Sequence, residues 1–406
     1  MSSYTETKKL LEKYWFTYLK ENSRRFPRST IIGASPPSVF VGRYGYPKVS
    51  IGPLVPDDLH GDTSILDSPE AWIGKTLHEI LNYRLSLVRG LNSVKIDDLE
   101  NKFILSLQEL TMSSKPAESE LNFHKIPSFH QSLLSQNNDL NKEFTPFGPQ
   151  AEIKSFKLSS NTSTNKKIDN MFSDNSIRAN DAVIDLFNNG VEISQINKVL
   201  SLGMLGRKNK RRIVPTRWSI SATDDIISSY LVKKIDLYQS IDQFEVIEYN
   251  HFSNFYSIIF IPSDVWSFEM VEAWYDQNNV NKFFLESDYE NSPAGLDHYP
   301  RIAGAYFAAK LAILEYLTSS KKRKCSVLVF REIRPEYLVP LGVWQIREGI
   351  REALKTKQSI NTKSFSDFKQ ALIYASKAMT IPLYDWLKHS GMYKNYGKKT
   401  LISDFF

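Results

Sequence analysis

Gly33-Ala34-Ser35-Pro36-Pro37-Ser38-Val39-Phe40-Val41-Gly42-Arg43-Tyr44-Gly45-Tyr46-Pro47-Lys48-Val49-Ser50-Ile51-Gly52-Pro53-Leu54-Val55-Pro56 is the stretch from which the fold can be read outward. Val39 and Val41 fall two apart, as do Val49 and Ile51, and between them lies Tyr44-Gly45-Tyr46-Pro47. A period of two puts each pair on one face of a strand, and glycine with proline marks the reversal. The pattern predicts a β-hairpin over 37–55. Its neighbours read as helices. Leu10, Leu11, Tyr14, Trp15, Tyr18 and Leu19 keep helical spacing over 4–20, and Pro27 stops any continuation. Asp67-Ser68-Pro69-Glu70 has the proline and acids of a helix start. That helix is expected to run through Trp72, Ile73, Leu77, Ile80 and Leu81 to Arg89-Gly90. A second, about 97–112, sets Leu99, Phe103, Leu107 and Leu110 on one side.

Residues 113–180 turn polar, rich in Ser, Asn and Lys, with Pro127, Pro146 and Pro149. The weakest candidate for ordered structure is 155–176. The expected organisation is an N-terminal domain at 1–150, a polar loop or linker at 151–180, a second domain at 181–390 and a flexible tail at 391–406. Within the second domain, helices are expected at 179–188 and 192–203. Ser221-Ala222-Thr223-Asp224 reads as a capping-box start for a helix to about 235. Strands follow at 243–249, 255–262 and 265–273, then an apolar helix at 300–318 and a strand over 326–330. Helices at 342–356, 364–378 and 382–389 close the body. Strands and helices mix without βαβ alternation or internal repeats. The fold class is α+β, mixed sheet surrounded by helices.

Composition narrows the setting. The 406 residues are 42% hydrophobic and 24% charged, ordinary for a globular chain. No run of eighteen apolar residues occurs, so no membrane partner is expected. The N-terminus lacks a basic region followed by an apolar one, so no secretory leader is expected. The one cysteine, Cys325, cannot form an internal disulfide and suits a reducing cytoplasm. A net charge of +6 permits a polyanionic partner without demanding one.

No phosphate loop, dinucleotide fingerprint, HExxH or GxSxG string is present. Basic residues interleaved with aromatic ones are more informative. The hairpin carries Arg43, Tyr44, Tyr46 and Lys48, and the run 207–212, five of six residues basic, ends in Arg211-Arg212 just before Arg217-Trp218. Cations meet phosphates and exposed rings stack on unpaired bases. The plainer alternative makes Arg217-Trp218 a buried pair and the basic run a solvated loop. Among the acids, Asp62, Asp224, Asp225 and Asp297 are candidates. Asp224-Asp225 beside Arg217 would suit a metal and a phosphate; otherwise Asp224 caps a helix and Arg217 partners it. Arg347 and Arg351, four apart on a helix face, would hold an anion, or else pair internally with Glu348 or Glu332; Arg331 and Arg334 add charge nearby. Cys325 is expected to be a buried bystander.

The chain ends Lys399-Thr400-Leu401-Ile402-Ser403-Asp404-Phe405-Phe406. Two terminal aromatic residues arise by chance in about 2% of chains with this 13% aromatic content. Ile402 and Phe405, three apart, share one face of a 3₁₀ turn that Phe406 extends. The segment resembles a PCNA-interacting peptide, Gln-x-x-aliphatic-x-x-aromatic-aromatic, through Ile402, Phe405 and Phe406. Lys399 stands where that motif has Gln, which implies weaker docking. The alternative is that both rings fold back on the body.

Longer strings carry a second resemblance. Ser35 to Arg43, Gly45 to Val49, Leu87 to Gly90, Val214 to Ile220 and Val339 to Glu348 resemble, in order, blocks of the archaeal Nre DNA-repair family. The resemblance spans nearly the whole chain and implies a repair protein hung on the sliding clamp by its C-terminal peptide, with DNA and other repair proteins as partners. The alternative is a nucleotide- or phosphodiester-processing enzyme built on Arg43, Arg217 and Asp224, recruited by the same tail. Many family members carry four N-terminal cysteines that look like a zinc site. This sequence has no cysteine before Cys325 and its seven histidines are scattered, so neither zinc nor another cofactor is expected.

Overall fold

The computed structural model describes residues 17, 21, 28–128, 148–276, 282–291, 295–337, 341–356 and 362–396. The helix expected over 4–20 lies, apart from Thr17, outside them. The chain divides into two compact units with the boundary at Ile226/Ile227; residues 339–341 group with the first.

The first unit holds a six-stranded sheet of β1 (Thr30–Ser35), β2 (Val39–Val41), β3 (Lys48–Pro56), β4 (Leu87–Lys95), β5 (Ala117–Phe123) and β6 (Gln150–Leu158). Spatial order is β1-β5-β6-β4-β3-β2. Only β4 and β6 run parallel. The expected hairpin is β2–β3, with Val39 opposite Pro53 and Val41 opposite Ile51. Val39, Val41, Val49 and Ile51 are all buried, as their alternation requires. Gly52 is indispensable: a Cβ there would lie 2.0 Å from the carbonyl oxygen of Gly90 on β4.

The single helix expected from Ser68 to Arg89 is instead broken. Short 3₁₀ turns at Ser64–Asp67 and Pro69–Ala71 come first, and Gly74 takes a left-handed φ of 81°. A fresh helix, α1 (Leu77–Leu85), begins at the capping box of Thr76 and Glu79. Leu87, Val88 and Arg89 then belong to β4, where Val88 joins a core with Ile31, Val55, Leu121 and Phe123. Next comes α2 (Lys102–Met112), capped by Asn101. No linker occupies 151–180. Residues 150–158 form β6, whose polar side chains alternate outward while Ile153 and Phe156 pack on that core. Beyond it stand α3 (Lys166–Ser173), α4 (Ala179–Asn188) and α5 (Ile193–Ser201). The next helix, α6 (Thr216–Ile235), starts five residues before the expected cap. It nucleates on Pro215, whose carbonyl accepts the Trp218 and Ser219 amides, so 221–224 fall inside it.

The second unit's sheet comprises β7 (Phe244–His251), β8 (Asn254–Ile261), β9 (Phe268–Tyr275), β10 (Phe283–Glu290), β11 (Ser326–Ile333) and β12 (Lys363–Phe365), ordered β10-β9-β11-β8-β7-β12. Of these, β10 and β12 were not foreseen. β9 and β11 pair in parallel, and the rest are antiparallel. Helices α7 (Gly304–Tyr316), α8 (Trp344–Thr356), α9 (Phe368–Ala375) and α10 (Leu383–His389) accompany it. Phe368 and Leu372 of α9 and Trp386 of α10 close a core with Ile259, Val271, Leu328 and Phe330. Among the described residues, no helix is long and apolar enough to cross a membrane.

The tail expected to be flexible from 391 is anchored as far as 396. Glu269, buried on β9, accepts hydrogen bonds from Ser390 Oγ at 2.6 Å, Gly391 N at 2.7 Å and Met392 N at 2.9 Å. Residues 391–396 are helical, Met392 is buried, and the Tyr396 ring lies 4.6 Å from that of Phe368. Burial pushes the Glu269 carboxyl above its usual range against those three bonds. Glu269→Gln turns an amide NH₂ toward a backbone N–H, Gly391 or Met392, which cannot accept a hydrogen bond. It should cost about 1–3 kcal/mol, read as a lower Tm together with faster proteolysis after residue 390. An unchanged Tm would show that the carboxylate is dispensable.

Candidate nucleic-acid interface

The hairpin tip is tied to the start of α6 by one hydrogen bond, from Val41 N to Thr216 Oγ1 at 2.9 Å. This brings two rings from distant sequence together. Tyr46 in the turn and Trp218 in the first turn of α6 lie with centroids 5.1 Å apart and planes at 55°. They are 49% and 44% exposed. Beside them Arg43 sits over the Tyr44 ring at 5.1 Å and donates to its hydroxyl at 3.3 Å, with Tyr44 itself 79% exposed. Arg217 and Lys48 are exposed next to Trp218 and to the turn. Two of the residues singled out in the sequence, Tyr46 and Trp218, are thereby in contact, while Arg43 and Lys48 belong to the same hairpin and Arg217 to the same turn of α6.

The fold adds a member that sequence reasoning missed. Lys95 on β4 stands directly opposite Lys48 on β3. Both are exposed and, among the described residues, neither makes an ion pair. Like charges on facing strand positions are destabilising by themselves. An anion seated between them would relieve that repulsion. The signal for Lys95 is strand register, which no local spacing reveals.

The family of the chain follows from comparison with known proteins. A family model described as Archaeal Nre, N-terminal, matches residues 10–281, and one described as Archaeal Nre, C-terminal, matches 291–405. The chain belongs to the archaeal Nre family. This Nre chain is 36% identical to the DNA repair protein NreA of Archaeoglobus fulgidus over 91% of its length and 89% of the relative's. It is equally identical to NreB of the same organism, over 91% of each. To NreA of Haloferax volcanii it is 30% identical over 93% of its length and 89% of the relative's. No solved structure matches it.

Other expected site residues of the Nre chain fall elsewhere. Arg211 is only 6% exposed. Its guanidinium donates to the carbonyls of Gly206 at 2.7 Å and Asp174 at 2.8 Å and sits 5.3 Å from the Phe172 ring centroid. It locks a loop and cannot reach a phosphate. Arg212 is exposed but donates to the Arg211 carbonyl at 2.6 Å. The pair Arg217-Trp218 is exposed, not buried as the plainer alternative had it.

The acids do not assemble. Asp224 is fully buried inside α6, so it is no cap, whereas Asp225 is exposed. Asp62 is exposed and held low by hydrogen bonds from Ser64, and Asp297 is exposed against His298. Among the described residues, no group of three or more His, Cys, Asp or Glu side chains converges. The C-terminal arginines are internal. Arg331 pairs with Glu272 at 2.9 Å, Arg334 with Glu332 at 2.8 Å, and Arg351 with both Glu315 at 2.7 Å and Glu348 at 2.8 Å. Arg347 touches Glu348 at 3.4 Å. Cys325 is buried, and burial drives its thiol well above the usual range, away from the reactive thiolate. Lys399, Ile402, Phe405 and Phe406 lie outside the described residues.

Arg211→Ala should therefore act on stability. Leaving the carbonyls of Gly206 and Asp174 without a charged donor is expected to cost about 1.5–3 kcal/mol, visible as a drop in Tm, while the salt dependence of DNA binding stays that of the parent. A changed slope at constant Tm would return Arg211 to the interface.

Proposed function

We propose that this chain is a DNA repair protein that docks on the replication sliding clamp through its C-terminal residues and contacts DNA through its body. The observation that carries the reading is identity of 30–36% over about nine tenths of the chain to proteins named for DNA repair. The clamp part rests on the tail, where Ile402, Phe405 and Phe406 supply the aliphatic and paired aromatic anchors of a clamp peptide. Such anchors bury for roughly 1.5–3 kcal/mol each, less the ordering of the tail. The DNA part rests on the exposed Tyr46–Trp218 pair, in segments that also carry Arg43, Lys48 and Arg217. A hydrolytic reading finds no comparable support, because Asp224 and Asp225 point to different environments. We place the work in the cytoplasm and without zinc, since the chain has no cysteine before Cys325.

Clamp affinity, Tm and metal content test this. Phe405→Ala with Phe406→Ala should abolish binding to purified clamp and leave Tm within about 1 °C, the outcome expected of rings that serve the clamp and not the core. Lys399→Gln should tighten clamp binding about fivefold, the worth of one ordinary hydrogen bond. A double variant that melts earlier and still binds the clamp would mean the rings fold onto the body. Elemental analysis of purified protein should find well below one zinc per chain, and a stoichiometric, tightly held zinc would refute the metal-free reading.

A further inference from the structure

Resting on the reading of the body as DNA-contacting, we propose that Tyr46 and Trp218 form a stacking platform for unpaired bases, with Lys48 and Lys95 holding the adjoining phosphates, so that the strand bound is single. The two rings meet at 55°, so neither covers the other's face as a parallel stack would. Each remains nearly half exposed although it belongs to an ordered element, the hairpin turn or the first turn of α6. An aromatic face held rigid and wet is suited to a flat apolar ligand.

Charge selects which flat ligand. Lys48 and Lys95 face one another across β3 and β4 with no carboxylate among the described residues answering either, and the same hairpin and the same turn of α6 carry Arg43 and Arg217. Cations beside stacking rings match a strand that alternates phosphates with bases. In a duplex the base faces are already stacked on their neighbours and are unavailable to side chains in this position. Only an unpaired strand offers both groups at once. Stacking reads no base edges, so the platform is tolerant of sequence. An acidic peptide would satisfy the lysines and leave the rings without a matching flat group.

The test uses the full chain, fluorescence anisotropy, a labelled oligo-dT of fifteen nucleotides and a fifteen-base-pair duplex. Trp218→Ala and Tyr46→Ala should each weaken oligo-dT binding about tenfold, within about 5- to 150-fold, and change duplex binding less than about twofold. Trp218→Phe should restore most of the loss, which a merely structural role would not require. Lys48→Ala with Lys95→Ala should lower the slope of log affinity against log salt by between about 1 and 2. If Trp218→Ala lowers Tm, Tyr46→Ala decides the same question from the other side of the pair. Aromatic variants that leave oligo-dT binding intact, or weaken both DNAs equally, overturn the platform alone. Competition by polyglutamate stronger than by poly-dT would overturn it too, assigning the face to an acidic protein. A full chain that binds neither DNA overturns the DNA-contact reading as well.

Discussion

Glu269 and Glu332 are carboxylates on inner strands of the second sheet, and the whole C-terminal segment is organised around their need for donors. A buried charge without partners is far too costly to keep. Each acid finds two of its donors in the backbone and the rest in side chains. Glu332 accepts from Thr380 N at 2.8 Å and Ile381 N at 3.2 Å, besides Arg334 Nε at 2.8 Å. Glu269 takes Ser390, Gly391 and Met392. The two acids thereby grip the chain on either side of α10, at 380–381 and at 390–392. Between those points the Trp386 ring lies 5.0 Å from that of Phe330, so polar capture and apolar burial act on the same stretch of chain. Neighbouring charges on these strands obey the same constraint. Arg331 and Glu272 answer each other across β11 and β9, and Lys310 meets Glu290 at 2.7 Å inside the core. Such pairs do little for net stability, but removing one member leaves the other stranded.

The aromatic surface of the first unit depends on a backbone constraint. Strands β3 and β4 approach so closely at Gly52 and Gly90 that no side chain fits between, and the register set there continues to Lys48 opposite Lys95. The hydrogen bond from Val41 to Thr216 then fixes where α6 begins relative to the hairpin. These two facts hold the turn and the first helical turn within reach of each other, where Tyr46 and Trp218 touch.

What the sequence disclosed followed from local period. The hairpin could be read because Val39, Val41, Val49 and Ile51 alternate around a glycine-proline turn. Helices α2, α4, α5 and α7 to α10 could be read because their apolar spacing is long enough. Failures came where a local cue had a rival. Ser68-Pro69 looks like a helix start, but Gly74 in a left-handed conformation ends the matter and Thr76 restarts it. Ser221 to Asp224 looks like a cap, but Pro215 already serves. Strand β6 is so polar that it resembles a linker, yet its backbone pairs with β5 and β4 on either side. At the site, Arg43, Tyr46, Lys48, Arg217 and Trp218 were visible as residue types in clusters. Arg211 looked identical to them, and only its carbonyl partners separate it. Lys95 was invisible, since its significance is a cross-strand partner 47 positions away.

The anchored helix at 391–396 changes what a clamp-docking tail would mean for this protein. Had the chain been free from 391, a long leash would let the body range widely around its tether. With Tyr396 packed against Phe368, only three peptide steps lead from the last anchored ring to Lys399, the first motif position. Fully extended, they reach about 11 Å. A clamp engaged by Ile402, Phe405 and Phe406 would then be held against the second unit at high effective concentration, so that any further contact between them forms with little additional entropic cost. Glu269 would in that case do more than stabilise a terminus. By fixing where the leash begins, it would set the direction in which the protein leaves the clamp.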